Sequence, residues 1–235
     1  MSILNFQKPD KILLQKATDF EGVFEFKPLE PGFGQTVGNS LRRVLLSSLE
    51  GVAISAVRIA GVDHEFSTIK GVVEDTVEII LNLKQVNLKQ VLRDEDITSE
   101  KIYVTLSGRT EFRAGDLEDF TNVFKVMNPD LLICRMEPSV TLEMEFTITK
   151  GRGYVPADEN LPKDASIGVM PIDAIYTNNK NVAYKVSNTR VGQRTDYEKL
   201  TIEITTDGTI HPEDAIKDAS RILIQHLMLI TDENI

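Results

Sequence analysis

Residues 139–149 read Ser-Val-Thr-Leu-Glu-Met-Glu-Phe-Thr-Ile-Thr. Val140, Leu142, Met144, Phe146 and Ile148 fall on one side of this run, and Thr141, Glu143, Glu145 and Thr147 on the other. A period of two with one polar face is the pattern of a strand covered on one side only. Such half-solvated strands belong to antiparallel sheets, because the strands of parallel sheets are buried on both faces. The same alternation recurs at 22–27 around Phe24 and Phe26, at 101–107 around Ile102, Val104 and Leu106, and at Leu200, Ile202 and Ile204. Residues 52–59 form a further strand candidate.

Between these strands the period changes. The loop Pro28-Leu-Glu-Pro31-Gly32-Phe33-Gly34 holds two prolines and two glycines, which argue against a regular element there. From Thr36, a plausible N-cap, Val37, Leu41, Val44, Leu45 and Leu49 share one face of a helix that stops near Gly51. Residues 72–83 return to helical spacing, with Val73, Val77, Ile80 and Leu81 together and Glu74 and Asp75 in the first turn. Residues 151–168, rich in Gly, Pro and charge, read as an exposed loop.

His211-Pro212-Glu213-Asp214 signals the start of the last helix. Its stripe of Ile216, Ala219, Leu223, Leu227 and Ile230 is widened by Ile222, Ile224, Met228 and Leu229. Each large apolar side chain left in water forgoes roughly 1.5–3 kcal/mol. A helix this apolar needs cover, from its own core or from another chain. The order is strand, helix, several strands, then helix, which predicts an α+β fold and not a doubly wound parallel sheet.

The chain has 235 residues, 41% of them hydrophobic and 26% charged, which is an ordinary globular composition. With 36 acidic and 26 basic residues the net charge is -10, which argues against a bulk basic surface for nucleic acid. Charge is uneven: +1 over residues 1–60, -6 over 61–130, -2 over 131–180 and -3 over 181–235. The break near 51, and a loop-to-strand shift near 175–182, suggest a subdomain inserted between two flanking halves. Cys134 is the single cysteine and there are three histidines, too few for an internal disulfide or a classical zinc site. The first nine residues lack a basic flank and an apolar run, and no apolar run approaches the ~20 residues that span a bilayer. A soluble protein of a reducing, cytoplasmic compartment is expected, with no membrane partner.

Catalytic patterns stay incomplete. His64-Glu65-Phe66-Ser67-Thr68 has Thr68 where a zinc motif needs its second histidine. Ser67-Thr68-Ile69-Lys70 matches S-x-x-K but lacks its companion motifs. Gly32-Phe33-Gly34-Gln-Thr-Val-Gly38 has one residue too many for a dinucleotide loop. A small hydrolase using Ser67 with Lys70 or His64 therefore remains a secondary reading. Arg42-Arg43 sits mid-helix. It is either a solvated pair opposite the apolar stripe or a docking pair for a partner's acidic groups. Gly151-Arg152-Gly153 and the cluster Arg190, Arg194 and Asp196 carry similarly open readings.

Five ordered blocks resemble the bacterial RNA polymerase alpha subunit. They are Leu29–Leu49, Asp63-His-Glu-Phe-Ser-Thr68, Gly71–Lys84, Lys150-Gly-Arg-Gly-Tyr-Val-Pro-Ala157, and Val191–Asp196 with Gly208–Ile216. The resemblance implies a dimerisation subdomain over 1–50 and 178–235, two long helices packed on an antiparallel sheet, and an inserted β-rich subdomain over 51–177. It implies a homodimer that is the platform for the catalytic beta and beta-prime subunits, with omega and sigma in the holoenzyme. Dimerisation falls to Phe33, Val37, Leu41, Leu45, Leu223, Leu227 and Ile230. Beta docking falls to Arg42 and Arg43, and beta-prime docking to Leu46, Lys84 and Ile172. No catalytic residue and no cofactor are implied on this chain. The holoenzyme is a nucleotidyltransferase, with its magnesium on the catalytic subunit.

Two positions depart from the family pattern: His211 stands where Asp is common and Gly192 where Glu is common. Full-length alpha subunits continue into a carboxy-terminal domain that binds promoter DNA. Here that module is expected to be absent, so DNA is no direct partner. A stand-alone dimeric protein-interaction module of the same fold is the other alternative.

Overall fold

The computed structural model describes residue 9 and residues 11–91, 98–160 and 165–231. The expected subdomain ends at 1–8, 10 and 232–235, and parts of the 51–177 span at 92–97 and 161–164, lie outside the described residues. In chain order the elements are β1 (Lys11–Ala17), β2 (Glu21–Leu29), α1 (Phe33–Ser47), β3 (Glu50–Ile59), α2 (Thr76–Leu83), β4 (Leu88–Gln90), β5 (Ser99–Ser107), β6 (Glu111–Arg113), β7 (Phe124–Val126), β8 (Leu132–Arg135), β9 (Thr141–Arg152), β10 (Tyr154–Val155), α3 (Ala157–Asn160), β11 (Val169–Pro171), β12 (Ala174–Ile175), β13 (Asn179–Val191), β14 (Arg194–Thr206) and α4 (Pro212–Thr231). A 3-10 helix spans Ala114–Phe120. The chain divides into two compact units, Met1–Leu49 with Thr177–Ile235, and Glu50–Tyr176.

The first unit is a four-stranded sheet in the order β1-β2-β14-β13, antiparallel throughout. Helix α1 packs on β13 and β14, and α4 packs on α1, β2 and β14. Phe24, Leu41, Leu45, Leu200, Ile202 and Ile216 meet in its core. Gly38 lets α1 lie close to the sheet: a Cβ there would come within 2.7 Å of Tyr184 Cδ2 and 2.9 Å of Leu200 Cδ1. The second unit is built on a sheet ordered β5-β9-β3-β4-β7, with β11 paired to β3 and two small ribbons, β6-β8 and β10-β12. In β9, Leu142, Met144, Phe146 and Ile148 are buried, so the period-two reading of this stretch describes the core face. The architecture is α+β with antiparallel sheets.

Several local expectations need correction. Strand β2 runs on through Pro28 and Leu29, and α1 starts at Phe33. Proline is tolerated in β2 because the β2–β14 register is irregular opposite it, so no ladder N–H is needed there. Gly32, with φ at +85°, makes the turn into α1, a conformation glycine adopts without strain. Thr36 is therefore not the cap; its hydroxyl donates back to the Gly32 carbonyl from inside the first turn. The helix ends at Ser47, and Gly51 lies in β3, paired with Gly151.

Helix α2 starts at Thr76, later than expected. Asp75 accepts from the Glu78 N–H at 2.7 Å while the Glu78 carboxylate accepts from the Asp75 N–H, a reciprocal cap that sets the start. Its buried residues are Thr76, Ile79 and Leu83; of the predicted stripe Ile80 packs against the core, Val77 is half-buried, Leu81 is exposed, and Val73, also exposed, lies before the helix. Arg152 belongs to β9, and residues 154–160 hold β10 and α3, so the expected loop at 151–168 is shorter. His211 does cap α4: its Nδ1 accepts from the Glu213 N–H at 3.3 Å, while its carbonyl accepts from Asp214 and Ala215.

Candidate docking surfaces

The two adjacent arginines of α1 have different surroundings. Arg42 Nε donates to the carbonyl of Val182 at 3.0 Å, and Val182 lies in β13, the edge of its sheet. That bond satisfies an edge-strand acceptor and ties the side chain to its own unit. Arg43 is exposed, and among the described residues its guanidinium has no hydrogen-bond or ion-pair partner. Arg42 is thus anchored at Nε, while Arg43 has no such tether among the described residues. Leu46, one turn further on, is half-buried and packs against the core of the same unit.

The helix faces assigned to dimerisation also divide. Leu41 and Leu45 are 4% and 1% exposed, so they are core residues of this unit with no surface left for a second chain. Both lie with Gly34 and Gly38 on the stripe that meets the sheet. Phe33 is exposed and Val37 half-buried. Helix α4 changes character along its length. Pro212, Ala215, Ile216 and Ala219 are buried, and Leu223 is half-buried against the core. Beyond them Leu227 is 58% exposed and Ile230 77%, with Ile224 and Leu229 exposed as well.

In the second unit, Lys84 Nζ meets Asp173 Oδ2 at 2.7 Å and stands 5.9 Å from the centroid of the Tyr154 ring. The Lys84 ammonium, and then the Ala157 N–H at 2.8 Å, hold the Asp173 carboxyl below the usual aspartate range. Ile172, next to this pair, is 1% exposed and packs inward, so it supports the site without presenting a surface.

Sequence reasoning missed two residues. Asp173 had no periodic signal. Glu198 had one: it lies in phase with Leu200, Ile202 and Ile204, so an acid sits on the buried face of β14. Its carboxylate accepts from the Gly32 N–H at 2.9 Å and the Gly34 N–H at 2.8 Å.

The residues of the hydrolase reading form a local turn. Ser67 Oγ and His64 Nδ1 are 3.1 Å apart, and the Ser67 N–H donates to the His64 carbonyl in the same turn. Among the described residues no third group orients the imidazole, as a nucleophile–base pair requires. Lys70 is exposed. Burial pushes the Cys134 thiol up to about 12, which leaves it without thiolate at neutral pH. Among the described residues no group of three or more His, Cys, Asp or Glu could hold a metal ion, and no helix is long and apolar enough to cross a membrane.

Residues 57–177 match the family described as RNA polymerase Rpb3/RpoA insert domain. A DNA-directed RNA polymerase subunit alpha from Cytophaga hutchinsonii is 56% identical over 233 residues, covering 99% of this chain and 70% of that protein. The corresponding subunit of Bacteroides fragilis is 57% identical over 235 residues, covering 100% and 71%. That of Chloroherpeton thalassium is 43% identical over 231 residues, covering 97% and 69%. Identity at this level across the whole sequence, with both units included, means that the chain belongs to the DNA-directed RNA polymerase alpha-subunit family.

Proposed function

We propose that two copies of this chain form the platform on which the beta and beta-prime subunits of RNA polymerase assemble in the bacterial cytoplasm. The chain is a non-catalytic subunit of a nucleotidyltransferase, and magnesium belongs to the catalytic subunit. The observation that carries the dimer is the exposed apolar half of α4, from Ile224 to Ile230. Each of these side chains gains roughly 1.5–3 kcal/mol on full burial, and a second copy supplies a self-complementary face. Phe33, Val37, Leu223, Leu227 and Ile230 form the contact. Leu41 and Leu45 support it from within.

The dimer is symmetric but its large partners differ, so each copy takes one role. Arg43 on one copy meets acidic groups of beta, where a guanidinium fork adds orientation. The Lys84–Asp173 pair with Tyr154 faces beta-prime on the other. Omega and sigma join the holoenzyme through the large subunits.

Co-purification of this chain with beta, with complex mass read by light scattering, tests the proposal. A mass of two copies plus one beta supports it. A dimer that leaves beta behind removes the assembly role, and a monomer removes the platform.

A further inference from the structure

Helix α1 begins without a cap of its own. Gly32 has no side chain to offer, and the first turn holds no acid. The first N–H groups of a helix need partners from elsewhere. Here two amides flanking Phe33 are held by Glu198, more than 160 residues away in the chain. Glu198 stands on the face of β14 that carries α1. It pairs with Leu29 while Leu200 pairs with Phe26, so β2 carries an extra residue across Lys27–Pro28. Such an irregularity re-aims the side chains beside it. The fit is close: a Cβ at position 34 would stand 2.8 Å from Glu198 Oε2 and 2.9 Å from Val186 Cγ1. Glycine at 34 lets the carboxylate lie against the helix backbone.

We propose that Glu198 is a positioning residue for dimerisation. By clamping the N–H groups of Gly32 and Gly34 it fixes the first turn of α1, and with it the place of Phe33 and Val37 before a partner arrives. A contact surface ordered in advance loses less freedom on association. The inference rests on the dimer reading above.

Glu198→Gln keeps the shape but turns one accepting oxygen into an amide donor, which cannot bond a second N–H. Ile204→Val, six residues along the same strand and in the same core, is the control for simple loss of stability. Dimer dissociation constants by sedimentation equilibrium, and amide hydrogen exchange over residues 32–36, are measured on the whole chain. Loss of a helix cap predicts about a tenfold weaker dimer for Glu198→Gln and faster exchange at 32–36. Ile204→Val moves neither. An unchanged dissociation constant in Glu198→Gln, or an equal change in Ile204→Val, overturns the positioning role while the dimer stands. A wild-type chain that stays monomeric overturns the dimer reading and the positioning role together, whatever the exchange of residues 32–36 shows.

Discussion

Arg42 and Arg43 are neighbours in sequence with different work to do. Arg42 satisfies the Val182 carbonyl at the sheet edge, so Arg42→Ala is expected to cost about 1 kcal/mol of stability, the usual net value of one hydrogen bond. Arg43→Ala should leave urea unfolding and dimer mass unchanged and weaken capture of beta. If the two variants behave alike in unfolding and in beta capture, this division of roles is wrong. The pair was visible in the sequence as a docking candidate, but not which member was free. That depended on where the β13 edge lies, and nothing local to residues 42 and 43 encodes it. Cys134 offers a third test at this scale. With its thiol pushed up to about 12 and fully buried, it should resist a thiol reagent at neutral pH and react only in denaturant. Rapid labelling of the native chain would contradict its placement.

Among the elements, α1 and α4 show how far periodicity reaches. Both helices were legible from apolar spacing and start signals, and so was the surplus width of the α4 stripe. Periodicity could not tell which apolar residues meet the unit's own sheet. Leu41 and Leu45 do, while Leu227 and Ile230 do not, because the contact of α4 with the unit's core reaches Ile222 and Leu223 and the apolar residues beyond are exposed. Leu227→Glu should therefore leave the monomer's thermal stability within about 0.5 kcal/mol, as exposed substitutions do, yet shift the chain from dimer to monomer in sedimentation. A dimer that survives this change places the contact elsewhere. Gly38→Ala acts on the opposite face of α1. It inserts a methyl group against Tyr184 and Leu200, and overpacking of this kind costs about 1–3 kcal/mol. Differential scanning calorimetry should show a lower melting temperature, and an unchanged one would mean that α1 can lift from the sheet freely. Helix α2 carries the same lesson. Its apolar residues spread over more than one side, so the predicted set of Val73, Val77, Ile80 and Leu81 mixes Ile80, which packs on the core, with Leu81, which faces water.

For the molecule as a whole, acid stability follows from its buried carboxylates. Glu25 is held below its ordinary value of 4.5, chiefly by its hydrogen bond from Lys199 and then by Lys27, against the opposing effect of burial. Burial pushes Glu74 upward, but the backbone N–H and guanidinium of Arg135 outweigh it and leave Glu74 lowered. A carboxylate whose folded value lies below its unfolded one stabilises the fold fully above the unfolded value, and loses that contribution as pH falls through the folded one. Asp207, raised by burial, contributes in the opposite direction. Urea midpoints should therefore hold steady near neutral pH and decline below about pH 4.5, and Glu25→Gln should flatten the decline. A wild-type midpoint that does not fall below pH 4 would refute this. The sequence by itself determined the α+β class, the antiparallel strands, the two long helices and the family, because these rest on local period and on long ordered motifs. The tertiary structure decided which apolar residues are core and which are surface, that Arg42 is tied while Arg43 is free, and that α1 is capped by Glu198. Each of these depends on contacts between residues far apart in the chain, and a period in sequence carries no record of what lies across the sheet.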